Sequence, residues 1–106
     1  MNAEDTLTAP LQQLLEVNRT IHEPSRLVIL TILSSADDVE FKFLETATGM
    51  SKGNLSSHTT KLEEAGFVRV TKAFRGKVPV TSFKITDAGK AALATYWSAL
   101  KAALPQ

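Results

Sequence analysis

The stretch MSKGNLSSHTTKLEEAGFVRV, residues 50–70, decides the fold. Ser51 suits a helix N-cap, Gly66 suits a helix stop, and the alternation from Phe67 onward has the period of a strand. Between those stops the helix carries Gly53, Asn54, Ser56 and Ser57, all weaker helix formers than Ala or Glu. On a wheel of about 100° per residue, Leu55, Thr59 and Leu62 share one side, which is predicted to be buried, with His58 at its border. Gly53, Asn54, Ser57, Thr60 and Lys61 collect on the other side. Small residues with hydrogen-bonding groups and one cation suit close approach to base edges in a DNA major groove. A merely solvated face is usually richer in Glu, Lys and Gln.

Upstream, the sequence predicts three more helices. Leu7, Leu11, Leu14, Leu15 and Asn18 are spaced three and four apart, which predicts an amphipathic helix over 7–18. Pro24 fits a first helical turn, and Leu27, Ile29, Leu30, Ile32 and Leu33 follow it as a buried helix. After the polar connector ADDVE (36–40), in which Val39 suits a brief strand, Phe41, Phe43, Leu44 and Ala47 mark a short helix stopped at Gly49. The tight turn TGMS (48–51) joins it to the Ser51 helix as a helix-turn-helix.

Downstream, FVRVTKAF and VPVTSFKIT alternate around RGK (75–77), a two-stranded hairpin with Gly76 at its tip. Pro79 keeps the second strand short or makes it an edge near the turn. A last helix begins near Asp87 and carries Leu93, Tyr96, Trp97 and Leu100 on one side. The fold class is therefore mainly α with a small β-hairpin (α+β), in one domain spanning 1–106.

Charge is segregated along the chain. Residues 1–50 hold three bases against eight acids, and residues 51–106 hold nine bases against three acids. From Phe67 to Lys84 there are five bases, Arg69, Lys72, Arg75, Lys77 and Lys84, and no acid. An acid-free basic hairpin beside a small polar helix face suggests a polyanionic partner.

Composition narrows the classes further. With 106 residues, 43% of them apolar, one core is affordable but not two. The absence of cysteine excludes disulfides and thiolate metal sites and fits a reducing compartment. The longest apolar run, LVILTIL (27–33), is too short to span a bilayer, and the acidic N-terminus is unlike a signal peptide, so a soluble cytoplasmic protein without membrane association is expected. Enzyme chemistry has no support. There is no Gly-rich phosphate loop, nucleophile elbow or metal-spaced cluster, and Ser56 and Ser57 beside His58 lack an orienting carboxylate. No cofactor and no metal are expected. His22, beside the helix start at Pro24, reads as a boundary or packing residue.

Three segments together, IHEPSRLVILTIL (21–33), residues 50–70 and FRGKVPVTSFKITDAGKAAL (74–93), resemble the MarR/ArsR-type winged helix-turn-helix transcriptional regulators. They are most similar to a compact stand-alone group with a GNLSxH recognition helix. The resemblance runs from about residue 19 to 97, with the pieces in order. It implies a winged helix in which 41–49 is the positioning helix, 51–65 the recognition helix and 67–85 the wing. It also implies a homodimer on operator DNA, commonly a repressor.

Carried over position by position, it assigns Ser51, Lys52, Asn54, Ser57 and Lys61 to the major groove and nearby phosphates, and Arg75, Gly76 and Lys77 to the wing tip. Gly53 and Ser56 on the same helix and Lys72 on the basic hairpin complete the expected contact set. His58 joins it as a core-border residue or a phosphate contact. Lack of cysteine, with His22 and His58 on separate helices, departs from the metal-sensing members.

The terminal helices admit two readings. Leu7, Leu11 and Leu14 in 1–20, and Leu93, Tyr96, Trp97 and Leu100 in 87–106, could cap the chain's own core or form a homodimer interface. The interface is preferred here, with Trp97 as its anchor. A winged helix serving only as a protein-interaction module is the alternative function, but it leaves the acid-free stretch unexplained. Nothing in the sequence designates an operator or an effector.

Overall fold

The computed structural model describes the backbone of residues 3–105 and the side chains of residues 8–105. In chain order the elements are α1 (Ala3–Leu15), α2 (Pro24–Ser34), β1 (Val39–Glu40), α3 (Phe41–Thr48), α4 (Lys52–Glu64), β2 (Val68–Arg75), β3 (Val78–Ile85) and α5 (Asp87–Ala102).

Local chemistry explains most boundaries. Glu23 caps α2, its carboxylate accepting from the Arg26 N–H at 2.8 Å, with Pro24 in the first turn. Ser51 Oγ accepts from the Asn54 N–H at 3.2 Å and opens α4. Thr86 Oγ1 does the same for α5, accepting from Gly89 N–H at 3.0 Å. The first helix ends at Leu15 rather than running to residue 18, because Asn18 Oδ1 accepts from Thr20 N–H (2.9 Å) and Ile21 N–H (3.2 Å). That side chain offers the backbone a turn in place of another helical bond.

The hairpin gains a third strand. The sheet order is β1-β3-β2, all antiparallel, with Val39 opposite Phe83 and Val70 opposite Phe83 on the other side. Because β1 covers β3 only at Ser82 and Phe83, Pro79 lies on a stretch of β3 flanked by β2 alone, where its missing N–H costs no ladder bond. β3 is nonetheless a full eight residues. Arg75 pairs with Val78 across a two-residue turn whose first position, Gly76, has φ 64°, a region open to glycine.

One contiguous core joins these elements. It contains Ile21, Ile29, Leu30 and Leu33 from the α2 side, Leu44 from α3, Leu55 and Leu62 from α4, Val39, Val68, Phe83 and Ile85 from the sheet, and Leu93 and Tyr96 from α5. Thr59 is buried beside Leu55 and Leu62, and its hydroxyl donates to the Leu55 carbonyl at 2.9 Å. Phe43, expected to mark the apolar side of α3, is exposed. Phe41, Leu44 and Thr48 take the inward positions of this helix, leaving 43 and 47 on its flank.

The terminal helices correct one expectation. Leu93 and Tyr96 are buried inside the chain, 6% and 5% exposed, and Tyr96 is further held by His22 Nδ1 at 2.9 Å from its hydroxyl. Both therefore serve this chain's own core and not a partner surface. Leu14 and Leu100 are half-buried, and Leu11, Leu15, Trp97 and Leu104 are exposed. The side chain of Leu7 lies outside the described residues. Among the described residues no helix is long and apolar enough to cross a membrane.

Candidate nucleic-acid interface

Burial of Leu55, Thr59 and Leu62 fixes the roll of α4 about its axis. Its other side is consequently open, and Ser51, Lys52, Gly53, Asn54, Ser56, Ser57, Thr60 and Lys61 are all exposed. Among the described residues the side chains of Asn54, Ser56, Ser57 and Lys61 have no hydrogen-bond or ion-pair partner, so their donors and acceptors are free. Nothing lies within 4 Å of where a Cβ on Gly53 would stand. The face is low, polar and unobstructed, which suits a groove.

His58 departs from this set. Its ring turns toward the start of α2, where Nδ1 lies 3.3 Å from Arg26 Nη1 and 3.6 Å from Glu23 Oε2, and its side chain is only 20% exposed. Its place on the flank of α4, against α2, makes it a brace between helices and removes it from the base-facing residues. Of the two roles expected for it, packing at the core border is the one the geometry supports. Burial of Glu23 would raise its carboxyl pKa. The N–H groups of Arg26 and Ser25 and the electrostatic influence of the neighbouring His58 and Arg26 side chains outweigh that effect and hold it below the ordinary value.

The wing stands beside α4. Lys72, Arg75, Gly76 and Lys77 are exposed. Lys72 shares a small cleft with Ser56 and Thr60 of α4, so the basic strand directly flanks the polar helix face. Arg75 does not extend freely from the tip. Its Nη2 donates to Glu40 Oε1 at 2.6 Å, across the groove of about 640 Å³ between wing and α3 that Lys42 and Lys52 also line. Sequence reading missed both Glu40 and Arg26 as neighbours of the interface. Each meets its partner across more than thirty residues, at separations of 35 and 32, where no local pattern signals the contact.

Comparison with known proteins agrees with this fold. The winged helix DNA-binding domain family matches residues 25–104. Protein MJ0432 of Methanocaldococcus jannaschii is 39% identical over 72 residues, covering 67% of this chain and 77% of that protein. A transcriptional regulator homologue from Pyrococcus horikoshii OT3 has a similar structure, with TM-score 0.80 and 29% identity, over 89% of this chain and 92% of that one. MarR itself superposes with TM-score 0.69 at 14% identity, over 95% of this chain and 77% of MarR, a likeness of fold. The family is one of DNA-binding domains and not of enzymes. Its matched segment contains the capped helix α4, the wing and the core that presents them, and the chain belongs to the winged helix DNA-binding domain family, with the fold of the MarR-type regulators.

Proposed function

We propose that this chain is a cytoplasmic, sequence-specific transcriptional regulator that binds operator DNA as a homodimer and represses. The observation that carries the reading is the free polar face of α4, with Asn54, Ser57 and Lys61 unpartnered among the described residues and the basic wing alongside. Inserted in a major groove, Asn54 and Ser57 would read base edges while Lys52, Lys72 and Lys77 meet phosphates.

Dimerisation is supported by the ends of the chain. Leu11 and Leu15 on α1, Trp97 on α5 and Leu104 just beyond it remain exposed, and the radius of gyration is 16.7 Å. A compact chain of this length has about 13 Å, so the chain is elongated and leaves these apolar side chains less covered than a compact body would. Two copies joined there would present two recognition helices to two half-sites.

Selection of bound sequences from a random duplex pool tests the reading. Enrichment of an inverted repeat, with half-sites about one helical turn apart, is the expected result. Recovery of unrelated sequences would leave the protein-interaction reading in its place.

A further inference from the structure

Opposite the wing, α4 borders a second basic cleft. Arg19, Thr20 and Arg26 from the α1–α2 linker and the start of α2 face Lys61, Glu64 and Ala65 of α4 around a volume of about 380 Å³. Two of the three bases in residues 1–50 thus sit against the recognition helix, although that half of the sequence is acidic as a whole.

The cleft is built and not incidental. Arg26 Nε donates to the Thr20 carbonyl at 2.5 Å, Nη2 donates to the Arg19 carbonyl at 3.4 Å, and Nη1 reaches His58 Nδ1 on α4 at 3.3 Å. One guanidinium therefore holds the linker to the recognition helix and keeps Arg19 beside it. Arg19 and Lys61 are exposed, and their side chains have no partner among the described residues. Glu64 is the one acid lining the cleft, against three bases.

Position along the helix completes the case. Lys61 follows Asn54 by seven residues, two turns, or about 10.5 Å along the axis. A major groove is about 12 Å wide, so a helix that places Asn54 at the bases brings Lys61 to the groove's rim, where the phosphates lie. Lys72 flanks α4 from the Ser56 and Thr60 side, whereas Arg19 flanks it from the Lys61 side.

We propose that this cleft is a second phosphate-binding site, in which Arg19 and Lys61 hold a backbone phosphate of duplex DNA on the side of α4 away from the wing. Arg26 is a positioning residue in it. The inference rests on the DNA-reading function and adds a grip from the opposite strand of the groove, so that the helix is clamped from both flanks.

The test uses the full chain, a selected duplex and a random duplex, each titrated across a salt series, with Arg75→Ala/Lys77→Ala as the wing comparison. Arg19→Ala and Lys61→Ala should each weaken both duplexes by the same factor and make the log-log salt slope shallower by about one unit per subunit. The ratio of specific to random affinity should stay as in wild type, Arg19→Lys should restore binding, and Glu64→Gln should tighten it. Ethylation interference should lose its signal in Arg19→Ala at phosphates different from those lost in the wing variant. Wild-type affinity and slope in Arg19→Ala and Lys61→Ala, with the wing variant impaired, would overturn the cleft while leaving DNA reading intact. Failure of the wild-type chain to bind any duplex would overturn both.

Discussion

The Arg75 guanidinium at the wing tip lies 2.6 Å from the carboxylate of Glu40, the residue that leads from β1 into α3. Both side chains are well exposed, 74% and 38%, so the pair contributes little to folding, on the order of 0–1 kcal/mol. Its larger consequence is electrostatic. A phosphate approaching Arg75 must displace or share Glu40, which lowers the attraction of the wing for any duplex. Glu40→Gln is expected to leave the unfolding midpoint nearly unchanged and to raise affinity for selected and random duplexes alike. The salt slope should steepen by about one unit per subunit as Arg75 becomes free to release a counterion. Weaker binding by Glu40→Gln would show instead that the carboxylate orients Arg75 for its contact.

Glu23 sets an acid limit on stability. Its folded-state pKa is below the ordinary value, so the native state favours the ionised form. The stability it contributes is complete above the unfolded carboxyl pKa and is lost as pH falls through the lowered folded value. Denaturant unfolding followed from neutral to acidic pH should therefore show a steeper loss in wild type than in Glu23→Gln. At neutral pH, Glu23→Ala should cost about 0.5–2 kcal/mol through loss of the α2 cap.

Two glycines should respond to Ala in opposite directions. A Cβ on Gly89 would meet the Phe67 carbonyl oxygen at 2.3 Å, a backbone atom that also accepts from Thr86 N–H at 2.9 Å. Gly89→Ala must push α5 off the end of the sheet, and a loss of about 1–3 kcal/mol is expected. Gly53 has open space around it, so Gly53→Ala should gain up to about 1 kcal/mol from helix propensity. The same methyl projects from the face offered to the groove, and operator binding should weaken as stability rises.

What the sequence discloses divides along the range of the interactions. Helix α4 is legible because Ser51, Gly66 and the Leu55–Thr59–Leu62 stripe are all local signals, and the structure agrees with each. The strand β1 is half legible, since Val39 suits a strand while its pairing with Phe83 depends on the folded hairpin. Leu93, Tyr96 and Trp97 form one apolar stripe in sequence, yet the first two turn into the core and Trp97 is 44% exposed, because a helix stripe does not state how much of its width the neighbouring elements cover. For His58 the sequence leaves open the choice between core-border packing and a phosphate contact for a similar reason. Its wheel position is at a border, and the Arg26 and Glu23 side chains that draw it inward come from another helix.

Trp97 packs edge-on against Tyr96 at 5.5 Å between ring centroids while keeping 44% of its surface exposed. Its inner edge is thus fixed by the core and its outer part is available to a second copy. Trp97→Ala is expected to shift the sedimentation profile toward monomer and to weaken operator binding, since one half-site loses the benefit of the other. A variant that sediments as the wild type does would move the interface away from α5.

The face of α4 yields the sharpest contrast, because its two sides carry different kinds of free energy. Asn54 and Ser57 are exposed, and neither side chain has a hydrogen-bond or ion-pair partner among the described residues. Asn54→Ala and Ser57→Ala should therefore change folding stability by no more than about 0.5 kcal/mol. Each should remove about 1–3 kcal/mol of discrimination at particular base pairs if it loses a base contact. Leu55, wholly buried, should behave in the reverse way, with Leu55→Ala costing about 2–5 kcal/mol of stability through the cavity it leaves. Measured on selected and random duplexes, the Asn54 and Ser57 variants should weaken mainly the first, whereas Arg75→Ala/Lys77→Ala should weaken both. Equal binding of every duplex by wild type, Asn54→Ala and Ser57→Ala would mean that α4 does not read bases. The free polar face would then belong to a protein partner.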